Sequence, residues 1–189
     1  DKHGFGTARE ARSRVWFTLR KAELTETYFP DLGTPSLRSL EFVVSDGTHV
    51  DRETGPGVRA HVKPLGGLAF RQTTRTSRWV LKKTWIADPR RSTVLARVQF
   101  TSLTGKPQRV FVLADPAPGD DGNDDHGQSL GSELVASDDT VASDIAARPR
   151  LRRTTSGYAG SASDPWTDLQ SDGDLDATYD ATQPGNVVQ

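Results

Sequence analysis

RVWFTLRKAELTETYFPDLGTPSLRSLEFVVSDG, residues 14–47, carries the pattern that decides the fold. Three short runs, 15–19, 24–28 and 40–44, are rich in β-branched and aromatic residues and are separated by polar, Gly and Pro positions, which is how strands are written. An aromatic–proline tip, Tyr28-Phe29-Pro30, follows the second run, and the third ends at Asp46-Gly47. An Asp-Gly pair adopts the φ > 0 positions of a tight hairpin at little cost, so the chain is expected to turn back into His49-Val50.

The same texture continues outward. Runs at 58–62 and 68–74 flank the turn-former cluster Pro64-Leu65-Gly66-Gly67. The strongest pattern lies at 79–86 and 93–100, joined by Asp88-Pro89-Arg90-Arg91-Ser92, a length suited to a hairpin loop. In the second of these runs Val94, Ala96, Val98 and Phe100 share one face, and Leu95, Arg97 and Gln99 take a mostly wet one. Residues 109–113 give a further strand. After Ala114 the period fades into a long Gly- and Asp-rich loop, residues 115–127. Residues 134–136 and 141–145 read as a hairpin about Asp138-Asp139, or else as a one-turn helix capped by Asp139, since Val141 and Ile145 stand at i, i+4. Residues 151–155 read as a strand, Trp166-Thr167-Asp168-Leu169 as a helical turn, and Asn186-Val187-Val188-Gln189 as the beginning of a strand. All eleven Pro are expected between the runs. The reading is all-β: a single antiparallel domain over residues 1–189, interrupted at its C-terminus.

Composition narrows the classes. Hydrophobic residues are 34% of 189, lean for a core, yet a sheet with one wet face needs no more. Four Trp, seven Phe and three Tyr, with a net charge of −1, argue against disorder. The chain has no Cys, which excludes disulfides and thiolate metal sites, and no Met, which reads as an N-terminus made by processing or excision and fits a secreted protein. No apolar run is long enough to span a bilayer, so no membrane partner is expected. Charge is divided: residues 1–114 hold 20 Lys and Arg against 10 Asp and Glu, and residues 115–189 hold 4 against 15. The halves are expected to neutralise each other across one fold. With pI ≈ 6.5 a nucleic-acid surface is not expected.

Few residues offer chemistry. Glycoside hydrolysis needs two carboxyl groups flanking a bond, and Glu23, Glu26, Glu41, Glu53 and Glu133 could supply a pair, but their places read as ordinary strand-edge glutamates. The four His have no zinc spacing, and no G-x-S-x-G elbow is present. No catalytic residue is assigned. Asp120, Asp121, Asn123 and Asp124 have the oxygen ligands and the neighbouring Gly122 that a calcium loop uses, without EF-hand spacing, so calcium is the one cofactor the sequence offers. Trp16, Trp79 and Trp85 sit in alternating runs and read as core. Tyr28, Phe29 and Trp166 lie at turns, where a large apolar group is either folded back or offered to a partner or a sugar.

Taken in order, residues 14–47, the Arg78-Trp79-Val80-Leu81-Lys82-Lys83 and Ile86-Ala87-Asp88-Pro89 segments, Val110-Phe111-Val112-Leu113-Ala114-Asp115-Pro116 and the Gly157-Tyr158 to Asp168-Leu169 stretch resemble the N-terminal β-sandwich of bacterial glucoamylases and glucodextranases. Pro165 and the extra Ala162 depart from that pattern. The resemblance implies a large two-sheet antiparallel sandwich of the supersandwich, galactose-mutarotase-like type. It implies a non-catalytic accessory domain of a secreted enzyme that releases glucose from α-glucans by inversion, with acid and base in a helical barrel domain outside this chain. It also implies that the sandwich docks on that barrel and supports its folding, stability or access to glucan. Thr25, Tyr28 and Phe29 on the tip, with Trp166, are the expected interdomain or sugar-facing residues. A stand-alone carbohydrate-binding or adhesive sandwich, stabilised by calcium, is the alternative.

Overall fold

The computed structural model describes residues 1–119 and 122–189. Two antiparallel sheets face each other. The first holds β1 (Gly4–Thr7), β2 (Trp16–Leu19), β3 (Leu24–Tyr28), β4 (Pro35–Ser45) and β10 (Arg109–Pro116) in that spatial order, with β5 (Val50–Arg52) pairing β4. The second is the meander β6 (Arg59–Gly66), β7 (Ala69–Arg75), β8 (Trp79–Ala87) and β9 (Val94–Ser102). A smaller sheet orders β13 (Ala142–Ile145), β12 (Glu133–Ser137), β11 (Asp125–Leu130) and β15 (Ala181–Gly185), and β14 (Gly157–Tyr158) pairs β16 (Val187–Val188). The all-β, two-sheet antiparallel expectation holds, with these smaller sheets and the helix α1 (Pro165–Asp172) added.

Packing explains why β4 reads as an unbroken apolar run. Phe42 and Val44 pack with Trp79 and Leu81 between the two large sheets. Val43 turns the other way and packs with Leu113, Leu169 and Leu175 beneath α1. A strand buried on both faces needs no alternation. A third cluster, Phe17, Leu19, Leu24, Leu37, Trp85 and Ala114, fills the other end of the inter-sheet space. The helix is short but well terminated. Asp164 caps it by accepting from Trp166 N, Pro165 occupies its first turn, and Gly173 ends it in the left-handed region with φ 82°. Ser45 Oγ donates to Gly173 O at 2.6 Å, and a Cβ on Gly173 would stand 2.7 Å from that same Oγ. The helix end is thereby tied to the end of β4.

Polar groups buried between the sheets are paired. Glu53 and Lys83 are both fully buried. Lys83 Nζ donates to Glu53 Oε2 at 2.5 Å and to Ala22 O at 2.9 Å. The Glu53 carboxylate also accepts from Phe42 N at 2.9 Å and from Thr74 Oγ1. Beside it, Gln72 Nε2 donates to Arg20 O and Glu23 O, while its Oε1 accepts from Trp85 Nε1 at 3.0 Å. Glu41 takes Arg52 and Thr54 on the opposite face of β4. Glu41 and Glu53, expected as ordinary strand-edge glutamates, are therefore interior groups. Burial pushes Glu53 up and Lys83 down from their ordinary values, and each is the main offset to the other's desolvation.

Two expectations are corrected. Proline does enter strands: Pro35 opens β4, Pro64 lies in the edge strand β6 beside a register shift, Pro116 ends β10 at another, and Pro184 lies in β15. These are the positions where a missing N–H costs no ladder bond. Residues 151–155 form no ladder. They are held by side chains instead: Thr154 Oγ1 donates to Gly131 O, and Thr155 Oγ1 accepts from Tyr179 N. No helix among the described residues is long and apolar enough to cross a membrane.

Removing one member of the buried pair should be costly. Lys83→Met leaves the Glu53 charge uncompensated and is expected to lose about 3–5 kcal/mol in urea denaturation. Adding Glu53→Gln, whose amide can still serve Phe42 N and Thr74 Oγ1, should recover at least about 2 kcal/mol of that loss. A loss below about 1 kcal/mol for the single variant, or additive losses in the double variant, would contradict the assignment.

Candidate functional site

The tip is built by the end of β3 and the turn that follows it. Phe29 N donates to Thr34 O at 2.9 Å, and Asp31 Oδ1 accepts from Gly33 N and Thr34 Oγ1, closing the loop that leads into β4. The Phe29–Pro30 peptide is cis. Tyr28 and Phe29 are half-buried, so part of each ring reaches the surface. Thr25 is buried, its hydroxyl 2.9 Å from that of Thr18, and it supports the strand pair from within.

Around Tyr28 the fold assembles a polar recess that sequence spacing did not show. Glu26, Tyr28, Pro35, Leu37 and Arg38 line a cavity of about 310 Å³. Lys2, from the N-terminal segment, donates to Glu26 and lies 5.8 Å from the centre of the Tyr28 ring. The Tyr28 hydroxyl also donates to Glu26, and Thr18 Oγ1 is 3.3 Å from the same carboxylate. Desolvation pushes the Glu26 carboxyl up, but the bonds from Lys2, Tyr28 and Thr18 outweigh it and hold the group below its ordinary value. Partial burial and the neighbouring Glu26 push the Tyr28 phenol up. The recess thus holds a fixed carboxylate and a protonated phenol, a set suited to hydroxyl-rich or polar peptide groups. No property of Lys2 in the sequence marks it as a partner of Glu26, because the pairing runs through β1 and β2.

Trp166 is not brought to this recess. It stands in the first turn of α1, half-buried against the cluster of Val43, Leu113, Leu169 and Leu175. Arg52 lies 4.9 Å from the ring centre and is itself bonded to Glu41. The structure therefore separates the tip from Trp166, one at the end of β3 and the other on the α1 face of β4. Of the acidic loop, Asp120 and Asp121 lie outside the described residues. Asn123 and Asp124 are exposed. Among the described residues no three His, Cys, Asp or Glu side chains gather as metal ligands.

The family model for glucodextranase, domain N, matches residues 1–189, the whole chain. The chain belongs to this family. A glucoamylase of Clostridium sp. (strain G0005) is 24% identical to the domain over 198 residues, which is 100% of this chain and 28% of that protein. The crystal structure of a bacterial glucoamylase complexed with acarbose superposes on it with a TM-score of 0.91 at 25% identity, covering 100% of this chain and 29% of that one. The domain thus spans less than a third of the length of these relatives.

The recess carries a pH prediction. A carboxyl group whose folded value lies below its unfolded one adds stability above the unfolded value, and this is lost as pH falls through the folded value. With an ordinary value of 4.5 for Glu26, stability should decline as pH drops below that point, and Glu26→Gln should flatten the decline. Denaturant midpoints measured between about pH 6 and pH 3 test this, and identical slopes for both proteins would contradict it.

Proposed function

We propose that this domain N is the non-catalytic N-terminal part of a secreted α-glucan hydrolase of the glucoamylase or glucodextranase type. In this reading it supports the folding, stability or substrate access of a catalytic helical barrel domain that releases glucose by inversion. The observation that carries the reading is the superposition over the whole chain on under a third of a bacterial glucoamylase. The bonding of three of its glutamates supports it. Glu41 and Glu53 are buried in structural bonds, and Glu26 is held ionised by its three donors. An inverting pair needs one carboxyl group kept protonated beside open space for sugar and water, a different arrangement.

The tip is the contact surface in this reading. Tyr28 and Phe29 present aromatic area on a loop closed by its own hydrogen bonds, so docking would cost little ordering entropy. Tyr28→Ser with Phe29→Ser in the intact parent enzyme should weaken domain association by about 2 kcal/mol and lower the temperature of inactivation. The same changes in the 189-residue chain should leave its circular-dichroism spectrum unchanged. An unaltered inactivation temperature in the enzyme would contradict the assignment of the tip. Titration of the isolated chain with maltooligosaccharides separates this reading from a carbohydrate-binding module, which would show measurable affinity.

A further inference from the structure

The second sheet turns one face to the core and the other to water. Val62, Phe70, Trp85 and Val94 pack into the space between the sheets. By alternation Arg59 and Lys63 of β6, Arg71 and Arg75 of β7, Lys82 of β8 and Arg97 of β9 stand on the outer face, and all six are exposed. The strand register sets them in rows. Arg59 lies opposite Arg75, Lys63 lies opposite Arg71, and Thr84 links Arg71 to Arg97. The row beyond holds Ile86 opposite Leu95, both exposed. The four strands contain no Asp or Glu, and between Glu53 and Asp115 the sequence has only Asp88. Among the described residues none of the six cations is ion-paired. Like charges directly opposite each other on one face of an antiparallel pair are destabilising. Two such pairs share this face with no carboxylate to offset them. A face built to be covered by packing is apolar, whereas the complement of this one is an anion.

We propose that this outer face binds a linear anionic polysaccharide laid across the four strands. That the polymer is anionic rests on the face alone, and that it is a polysaccharide rests on the function proposed above. The strands are about 4.8 Å apart, so an extended chain crossing them meets Lys63, Arg71, Thr84 and Arg97 in turn. Guanidinium groups hold carboxylate or phosphate oxygens through two parallel N–H bonds, and Thr84 and Gln99 add neutral donors between them. Ile86 and Leu95 give an apolar strip on which the C–H faces of sugar rings can rest. Other polyanionic partners fit less well. Trp79, Trp85, Phe70 and Phe100 all turn inward, so no such ring is offered to stacked nucleic-acid bases. A protein partner would meet charge at the centre, where a stable interface places apolar residues. Ile86 and Leu95 are shorter than the arginines beside them, so a lipid surface would meet cations before either could insert.

The affinity of the 189-residue chain for carboxymethyl-dextran and for neutral dextran tests this. The anionic polymer should bind at about 50 mM salt and be released steeply toward about 200 mM, while neutral dextran stays unbound. Arg71→Thr with Arg97→Thr should weaken binding at least about 10-fold and make the salt dependence shallower by about two ions. Arg148→Thr with Arg150→Thr, an equal change of charge at exposed positions off this face, should leave the affinity within about 2-fold. Because Arg71 faces Lys63, its replacement should hold or raise the melting temperature, so lost binding would not be lost folding. If the double variant does not fold, Lys82→Thr gives the same test with one ion. Equal weakening by the two double variants, or equal affinity for neutral dextran, would overturn the proposal. So would tighter binding of duplex DNA or of phosphatidylserine vesicles than of carboxymethyl-dextran at the same salt. Glucose release by the chain itself would strike the proposed function and leave the anion-binding result standing.

Discussion

The two large sheets are held in one arrangement by the Glu53–Lys83 pair. Glu53 sits just beyond the short strand β5, which folds back on β4 through the Asp46-Gly47 turn. Its carboxylate then meets Phe42 N of the first sheet and Thr74 and Lys83 of the second. Lys83 reaches on to Ala22 O in the loop between β2 and β3. One buried carboxylate thus ties four segments together. Such pairs add little net stability over apolar replacements, but a misplaced sheet would leave both charges unpaired at a cost of several kcal/mol, on the order of the penalty for breaking a buried pair. Asp51, two residues earlier, accepts from Trp79 Nε1 at 2.9 Å and pairs with Arg78, fixing the start of β8 in the same way.

A frame fixed in this way leaves three surfaces with different properties. The tip of β3 projects Tyr28 and Phe29 beside a charged recess. The α1 face is closed by its own helix, with Trp166 covered by Arg52. The outer face of the second sheet is exposed and basic, with no Asp or Glu on its strands. An aromatic tip suits reversible contact with a neighbouring surface.

Much of the fold was legible because strand periodicity is strong where one face is wet. β3 was read at its observed bounds, and the 79–86 and 93–100 hairpin to within two residues at each end. The hairpin about Asp138-Asp139 and the helical turn at Trp166 were also read, since turn residues and an N-cap mark them locally. β11 and β15 were missed because Asp125–Leu130 and Ala181–Gly185 contain almost no apolar residues. They pair through backbone bonds joined by polar side chains, His126 Nδ1 lying 3.1 Å from Thr182 O and Asp180 Oδ1 accepting from Ser129 N, and Gly127 is small because a Cβ there would stand 2.6 Å from Val187. The site was less legible. Tyr28 and Phe29 stood out as turn aromatics, but the Lys2–Glu26 contact arises from strand order, which spacing along the chain does not encode. Lys83 did carry a signal: it shares the inward face with Trp79, Leu81 and Trp85, and an inward lysine requires a buried partner.

We propose this sandwich as a supporting structure, with bond cleavage belonging to a separate catalytic part. It is tested most directly by incubating the purified 189-residue chain with maltooligosaccharides and with dextran and measuring free glucose. No glucose above the buffer control is expected at any pH between about 4 and 8, the range in which glycosidase carboxyl pairs work. Steady glucose release that scales with the concentration of the chain would contradict it.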